Sequence, residues 1–250
     1  MDKGDTGSQQ GVEASRQSMY DWRDSSTLQR VVMALVVFAS AVMAWWLLFW
    51  GGLSTLNECC FHLWAHSPWQ LGNPVRRLLL VVALSVYFFR LLLTLFVFFK
   101  RGICWNEAAV VAGWVALIYL VISVAGGSNQ APVALAAGAG VVLFLFGSWM
   151  NTWAEYTRHQ WKQQPENHGR LYTTGLFRLC RHPNYLGDLL SFSGLALIVG
   201  RWIAATIPAV MLLGFIFGNV PMLDAHLAEG YGADFAAYAR RTRKLIPFVY

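Results

Sequence analysis

The sequence contains little charge and little cysteine. Only 13% of its 250 residues are Asp, Glu, Lys or Arg, while 56% are hydrophobic, and a soluble domain usually carries about 25% charged residues. This composition excludes an ordinary soluble domain. The four cysteines form no repeated metal-ligand spacing. Cys59, Cys60, His62 and His66 are close enough in the chain to suggest a metal, but no second cluster or carboxylate group supports one, and we predict no metal site.

Long apolar runs take the place of the missing charge. A helix that crosses a bilayer needs about 20 apolar residues, and five runs approach or exceed this length: Val31–Leu53, Leu78–Phe99, Ala108–Gly127, Ala131–Met150 and Leu189–Phe217. Gly200-Arg201 interrupts the last run, which we interpret as two short helices joined by a tight turn. The sequence therefore predicts an all-α, polytopic integral membrane bundle with six transmembrane helices. A seventh is predicted if Leu53–His66 also spans, although that segment could instead be re-entrant or buried.

The distribution of polar and basic residues predicts domain organisation and orientation. Residues 1–27 are polar and are expected to form a mobile tail, and residues 28–250 to form a single membrane-embedded domain. The first apolar run begins too late and is too long for a cleaved signal peptide. Basic residues follow the second run, separate the fourth from the fifth and fill the tail, and such loops usually stay cytoplasmic. We expect a cytoplasmic C-terminus, in a bacterial inner membrane or the endoplasmic reticulum, with membrane lipids and no nucleic acid as partners.

A polar pair lies inside the second apolar run. Arg90 is near the middle of that run, where a charge costs about 2.5–3.5 kcal/mol on insertion scales and marks a functional site by default. Tyr87 precedes it by three residues and shares its helical face. Together they predict a polar cavity within the membrane. Alternatively, Arg90 pairs with a carbonyl or a buried acid for structural reasons alone, and Glu58 is a possible partner.

A second polar pattern follows the fourth apolar run. Asn151, Glu155, Arg158 and Lys162 are spaced by four, three and four residues. This spacing places them on one face of a helix that continues beyond the apolar run. The alternative is a solvated helix end with ion pairs between successive turns.

The third pattern surrounds Pro183, which is favoured in a first helical turn. Arg181 and His182 precede it, and Asn184 and Asp188 share a face just inside the helix. The free amides and the dipole of a helix start favour a phosphate group, to which the two basic side chains would add, while Asp188 could accept a hydrogen bond from a ribose hydroxyl or a carboxamide. The three patterns predict a site for an anionic nucleotide cofactor, next to an apolar cavity for a lipid substrate.

Three stretches of the chain resemble a known superfamily. The sequence "GRLYTTGLFRLCRHPNYLGDLL" and the tail "YGADFAAYARRTRKLIPFVY" resemble the C-terminal signature of the steroid 5-alpha-reductase and sterol C14-reductase superfamily, and "YFFRLLLTLFVFFKRG" resembles the 5-alpha-reductase helix that carries the substrate-facing Tyr. The resemblance covers residues 85–102 and 148–250. It implies that NADPH binds in the C-terminal half, at about residues 148–250. It also implies hydride transfer to a double bond of a steroid, sterol or terpenoid enone.

The resemblance also implies roles for individual residues. Tyr87 matches the Tyr that donates to the substrate carbonyl, with Arg90 one turn further on. The catalytic Glu of the family lies upstream of that helix, and Glu58 is the acid in a suitable place here, although its surroundings differ from the family pattern. The positions that match or adjoin cofactor contacts are Asn151, Glu155, Arg158, Lys162, Arg170, Arg181, His182, Asn184, Asp188, Asp224 and Tyr238.

A competing class shares part of this signature. Isoprenylcysteine carboxyl methyltransferases and phospholipid methyltransferases also contain an R-H-P-x-Y-x-G turn, which they use for S-adenosylmethionine. Asn184 within the turn and Asp188 after it favour the reductases. So does "MLDAHL" before the tail, where the methyltransferases carry paired glutamates.

Overall fold

The computed structural model describes residues 26–60 and 70–250, and within these ranges the chain is helical and contains no strand. The predicted all-α bundle is confirmed. Residues 1–25 of the predicted tail and His62 and His66 of the possible metal cluster lie outside the described residues. The helices are α1 (Thr27–Phe49), α2 (Gly52–Cys60), α3 (Pro74–Leu93), α4 (Trp105–Gly127), α5 (Leu135–Gln163), α6 (Pro183–Val199), α7 (Thr206–Gly214) and α8 (Val220–Arg241).

Five segments in the described part of the chain are long and apolar enough to cross a membrane, as expected of an integral membrane protein. They are Thr27–Phe49, Pro74–Phe98, Trp105–Gly127, Leu135–Gln163 and Trp202–Arg241. The predicted count of six or seven is therefore wrong for these residues. The difference arises at α6, whose 17 residues extend only about 25 Å at 1.5 Å per residue, and at the still shorter α2.

The turn predicted at Gly200-Arg201 is confirmed. Gly200 ends α6 with a φ of +67°, a left-handed conformation that glycine adopts without a steric penalty. The chain then turns through Trp202–Ala205 into α7. Because of this turn, α6 stays within the bundle while α7 and α8 return along it.

Glycines bring α5 and α6 into backbone contact. A Cβ atom on Gly147 would lie 2.5 Å from the Gly187 carbonyl, and one on Gly194 would lie 2.5 Å from the Gly140 carbonyl. Small residues at such positions allow membrane helices to approach closely. The contact supports the short α6 along its length and holds its first turn against Asn151 of α5.

The two ends of the bundle differ in chemistry. At the end where α3 begins and α6 ends, a buried Arg76 donates hydrogen bonds to the carbonyls of Ile198, Asn129, Ala131 and Pro132, at 2.8–3.2 Å. This arginine fastens the start of α3 to the last turn of α6 and to the connection between α4 and α5. The opposite end, where α6 begins, carries the loop of residues 164–182 and the C-terminal tail, and we call it the site end.

The C-terminal tail is bound to the residues before α6. The backbone amides of Arg181 and His182 donate to the carbonyls of Arg243 and Lys244, at 2.8 and 3.1 Å, forming a parallel bridge beside Cys180. Within α8 the helix is kinked at Gly232, which has a φ of +49°. The kink and the bridge direct the tail back over the start of α6.

Candidate functional site

The residues just before α6 form a tight ionic cluster with α8. The Arg181 guanidinium binds both carboxylate oxygens of Asp224, with the shorter contact at 2.7 Å, and His182 Nε2 lies 3.0 Å from Asp224 Oδ1. Arg181 Nη1 also donates to the carbonyls of Ala239 and Thr242. We call Arg181, His182 and Asp224 the clamp. The three residues were predicted to contact the cofactor, and they do lie together, but their side chains bind one another. They join α6 to α8 and to the tail.

The polar face of α5 meets the first turn of α6. The predicted extension of this helix beyond its apolar run is confirmed, since α5 continues to Gln163. Asn151 Nδ2 donates to the Asn184 carbonyl at 3.0 Å, and the Asn184 side chain donates to Glu155 at 2.9 Å. Glu155 also accepts from Arg158 at 2.7 Å. Asn151 and Glu155 are buried, whereas the Arg158 side chain is 44% exposed, so the group extends from the interior to the surface.

Further along α5, Lys162 contacts the loop of residues 164–182 and α8. Its ammonium donates to the Arg170 carbonyl at 2.7 Å and to the Tyr231 hydroxyl at 2.8 Å. Tyr238, the aromatic predicted in the tail, is buried and donates to the Phe177 carbonyl at 2.6 Å. Sequence reasoning missed Tyr231, although its place in the family-like tail was a signal.

Arg90 pairs with Asp188 across the interface between α3 and α6. The distance from Arg90 Nη2 to Asp188 Oδ1 is 2.7 Å, and the two side chains are 7% and 24% exposed. Arg90 Nη1 also lies 3.5 Å from the Ser191 hydroxyl. The alternative in which Glu58 pairs with Arg90 is wrong: Glu58 is exposed on α2 and makes no ion pair within the described residues. Asp188 and Ser191 are one helical turn apart, so both can face α3.

Tyr87 lies directly beside this ion pair. Its side chain is buried, its ring is 5.2 Å from the Arg90 guanidinium carbon, and Phe192 packs edge-on against it at 5.1 Å. Tyr119 is 6.0 Å away, ring to ring, and its own hydroxyl donates to the Leu84 carbonyl at 2.9 Å. Among the described residues the Tyr87 hydroxyl has no hydrogen-bond partner, which leaves it free to donate to a ligand.

Two serines that sequence reasoning missed connect the polar groups at the surface with those in the core. The Ser191 hydroxyl donates to the Gly187 carbonyl at 2.8 Å and lies 3.3 Å from the Ser148 hydroxyl. Asn184 and Ser191 are seven residues apart, which is about 10 Å along a helix. Polar side chains therefore line the interface between α5 and α6 from the surface down to the Arg90–Asp188 pair.

A comparison with known families covers more than half of the chain. Residues 102–242 match the family described as "Protein of unknown function (DUF1295)". The chain belongs to this family. The DUF1295 family is part of the steroid 5-alpha-reductase-like superfamily, so the resemblance predicted from the sequence is confirmed.

Relatives of this DUF1295 protein carry the names of two types of enzyme. Protein-S-isoprenylcysteine O-methyltransferase B of Arabidopsis thaliana is 31% identical over 36% of this chain and 46% of its own length. Probable O-methyltransferase ustE of Ustilaginoidea virens is 38% identical over 43% of this chain and 37% of its own. 3-Oxo-5-alpha-steroid 4-dehydrogenase 2 of Rattus norvegicus is 29% identical over 44% of this chain and 42% of its own. Each match spans less than half of the relative.

Proposed function

We propose that this protein is an NADPH-dependent membrane reductase that transfers a hydride to a C=C bond conjugated with a carbonyl, in a steroid-like lipid of the 3-oxo-4-ene type. The observation that carries the proposal concerns the buried residue Tyr87: its hydroxyl lacks a hydrogen-bond partner among the described residues, and its ring adjoins the Arg90–Asp188 pair. Similarity to a 3-oxo-5-alpha-steroid 4-dehydrogenase supports the same reaction.

The chemistry of enone reduction calls for such a donor. Hydride addition to the carbon β to a carbonyl builds negative charge on the carbonyl oxygen, and a preorganised donor there stabilises the transition state by a few kcal/mol. Tyr87 would donate to that oxygen. The Arg90 guanidinium beside its ring would favour negative charge at this place, and Asp188 would hold Arg90 in position.

The side chains at the start of α6 fit NADPH by type. NADPH supplies the hydride when it is bound. Asn151 and Asn184 offer amides, while Glu155 and Asp188 offer acceptors for ribose hydroxyls and a carboxamide. Cationic side chains at the surface suit phosphate groups, and we assign this role to Arg158, Lys162 and Arg170.

In this proposal the clamp acts indirectly. Arg181 and His182 orient the first turn of α6 toward the cofactor, and Asp224 and Tyr238 fasten α8 and the tail over it. Glu58 would share a proton with Tyr87 only if α2 moved, since it is exposed in the structure. The basic site end, with the C-terminus, would face the cytoplasm, where NADPH is available.

Methyl transfer from S-adenosylmethionine is the second candidate, because two of the relatives described above carry O-methyltransferase names. The surroundings of Tyr87 argue against it. A carboxylate that attacks a methyl group acts as a nucleophile, and a hydrogen-bond donor on that oxygen would weaken it. An unpartnered donor therefore suits reduction better than carboxyl methylation.

Ligand-dependent thermal stabilisation tests the cofactor. The full-length protein in detergent would be melted with NADPH, NADH, S-adenosylmethionine or S-adenosylhomocysteine, since a ligand that binds only the native state raises its stability. We expect NADPH to stabilise most. Arg158→Glu combined with Lys162→Glu should weaken NADPH far more than NADH, whereas the exposed Lys100→Glu at the same end should not. Stabilisation by S-adenosylmethionine alone would refute the reductase.

Product analysis tests the reaction. The purified protein would be incubated with NADPH and a panel of 4-ene-3-ketosteroids, sterol dienes and prenyl lipids, and the products followed by mass spectrometry. A gain of two hydrogens marks reduction, and a gain of one CH2 when methyl donor is supplied marks methylation. We expect reduction of a 4-ene-3-ketosteroid.

A further inference from the structure

A second polar pocket lies at the site end, outside the residues assigned above. Its volume is about 370 Å³, and it is lined by Thr173, Thr174, Arg178, Arg241 and Thr242. We call it the basic pocket. It contains two cations and three hydroxyls, and no carboxylate belongs to its lining.

The basic pocket is distinct from an apolar cavity elsewhere in the bundle. The basic pocket, of about 370 Å³, is at the site end. The cavity of about 460 Å³ is a separate, largely apolar groove at the opposite end, beside Gly200, Arg201 and Trp202.

Tertiary structure brings the two arginines of the basic pocket together. Arg178 ends the short helical turn Gly175–Arg178, and Arg241 ends α8. The clamp and the bridge between Cys180 and Arg243 hold these two segments side by side. Thr242 is buried, and its carbonyl accepts from Arg181 at 2.9 Å, so the wall between the arginines is fixed.

The charges of the basic pocket are not balanced within the described residues. Neither Arg178 nor Arg241 has a hydrogen bond or ion pair there, and Arg241 makes only a distant contact, 6.0 Å from its guanidinium carbon to the Tyr238 ring. The three threonine hydroxyls have no hydrogen bonds there either. Two like charges that line one pocket repel each other, and an anion between them would replace repulsion with attraction.

We propose that the basic pocket binds a phosphate group. Guanidinium groups bind phosphate oxygens through paired hydrogen bonds, and threonine hydroxyls add further donors. The phosphate could belong to a nucleotide or to the headgroup of an anionic lipid, because both present the same oxygens. The inference does not depend on the proposed hydride transfer.

The competing explanation is that these arginines only contribute to a basic cytoplasmic surface. Matched variants separate the two. Arg178→Gln and Arg241→Gln each remove one charge from the lining, and Arg240→Gln removes the same charge from an exposed neighbour outside it. A general surface effect would weaken anion binding equally in all three variants.

The experiment uses the full-length protein in phosphatidylcholine nanodiscs. One arm titrates 2',5'-ADP by calorimetry, with adenosine as the phosphate-free control. A second arm measures retention of phosphatidic acid against phosphatidylcholine. We expect Arg178→Gln or Arg241→Gln to weaken binding in at least one arm about tenfold or more, because a hydrogen bond to a charged group is lost. Arg240→Gln should change it less than about twofold.

The arms identify the source of the phosphate. An effect confined to 2',5'-ADP assigns the pocket to a nucleotide, and one confined to phosphatidic acid assigns it to a lipid headgroup. Melting curves would confirm that each variant is folded. Where a glutamine variant is not, lysine at the same position replaces it, because lysine keeps the charge but loses the paired hydrogen bonds. Equal weakening by Arg240→Gln, or no weakening in either arm, would overturn the proposal.

Discussion

Replacing Tyr87 by Phe tests the proposed reaction most directly. The change removes one hydroxyl and leaves the ring contacts with Phe192, Tyr119 and Arg90 in place. Because that hydroxyl has no partner among the described residues, its removal breaks no hydrogen bond there. We expect the free energy of unfolding to change by less than about 0.5 kcal/mol, as for a substitution that disturbs no special feature. Turnover should fall by about 10²–10³, the loss seen when one oxyanion donor is removed.

Tyr119 provides the matched control. It is also a buried tyrosine near the same ion pair, but its hydroxyl donates to the Leu84 carbonyl at 2.9 Å. Tyr119→Phe should therefore lower the free energy of unfolding by about 1 kcal/mol, the net worth of an ordinary hydrogen bond. Turnover should be nearly unchanged. We therefore expect Tyr87→Phe to lower turnover without changing stability, and Tyr119→Phe to lower stability without changing turnover.

The assay is single-turnover NADPH oxidation with a substrate identified by mass spectrometry, measured beside a melting curve and an NADPH titration. Tyr87→Phe should retain its melting temperature and its affinity for NADPH. If Tyr87→Phe reduces the substrate as fast as the unmodified protein, Tyr87 is a packing residue and the reductase mechanism loses its donor.

Three further predictions follow from the packing. Asp188→Ala should destabilise the protein by about 3 kcal/mol because it leaves the buried Arg90 cation unpaired, and combining it with Arg90→Met should restore most of that loss in thermal melts. Gly147→Ala should cost about 1–3 kcal/mol because its Cβ would clash with the facing backbone, whereas Gly138→Ala, which meets nothing within 4 Å, should not destabilise. The Cys180 thiol should resist maleimide at pH 8 because burial raises its pKa to about 11; rapid labelling in the folded protein would contradict this.

The sequence was sufficient to predict the helices but not how many of them span the membrane. Apolar runs predicted α1, α3, α4 and the first part of α5, and Pro183 and Gly200 marked the two ends of α6 correctly. No apolar run predicted α8, which lies beyond Phe217. Hydropathy alone could not show that α6 is too short to span and relies on α5. That reliance comes from the backbone contact at Gly147 and Gly187. The presence of a glycine in an apolar run does not indicate which helix packs against it.

Spacing within one helix predicted the site better than pairing between helices. The polar face of α5 is as expected, because helical periodicity depends on local sequence only. The sequence offers Glu58 as a possible partner of Arg90. In the structure the partner is Asp188, almost a hundred residues further along the chain. Arg181 and His182 were expected to face a phosphate, and pairing with Asp224 could not be foreseen without knowing that α8 returns to the start of α6.

The extent of the family match bears on why reductases and methyltransferases both resemble this chain. The match spans residues 102–242, so it includes the contact between α5 and α6 and the clamp, but it excludes Tyr87, Arg90 and residues 243–250. The matched part carries the residues proposed to hold a cofactor, and the unmatched α3 carries the group proposed to act on the substrate. Similarity confined to the matched part therefore cannot distinguish the two reactions. Tyr87 and Arg90, which α3 places beside Asp188, can distinguish them, because a hydrogen-bond donor at that point favours reduction and does not favour carboxyl methylation.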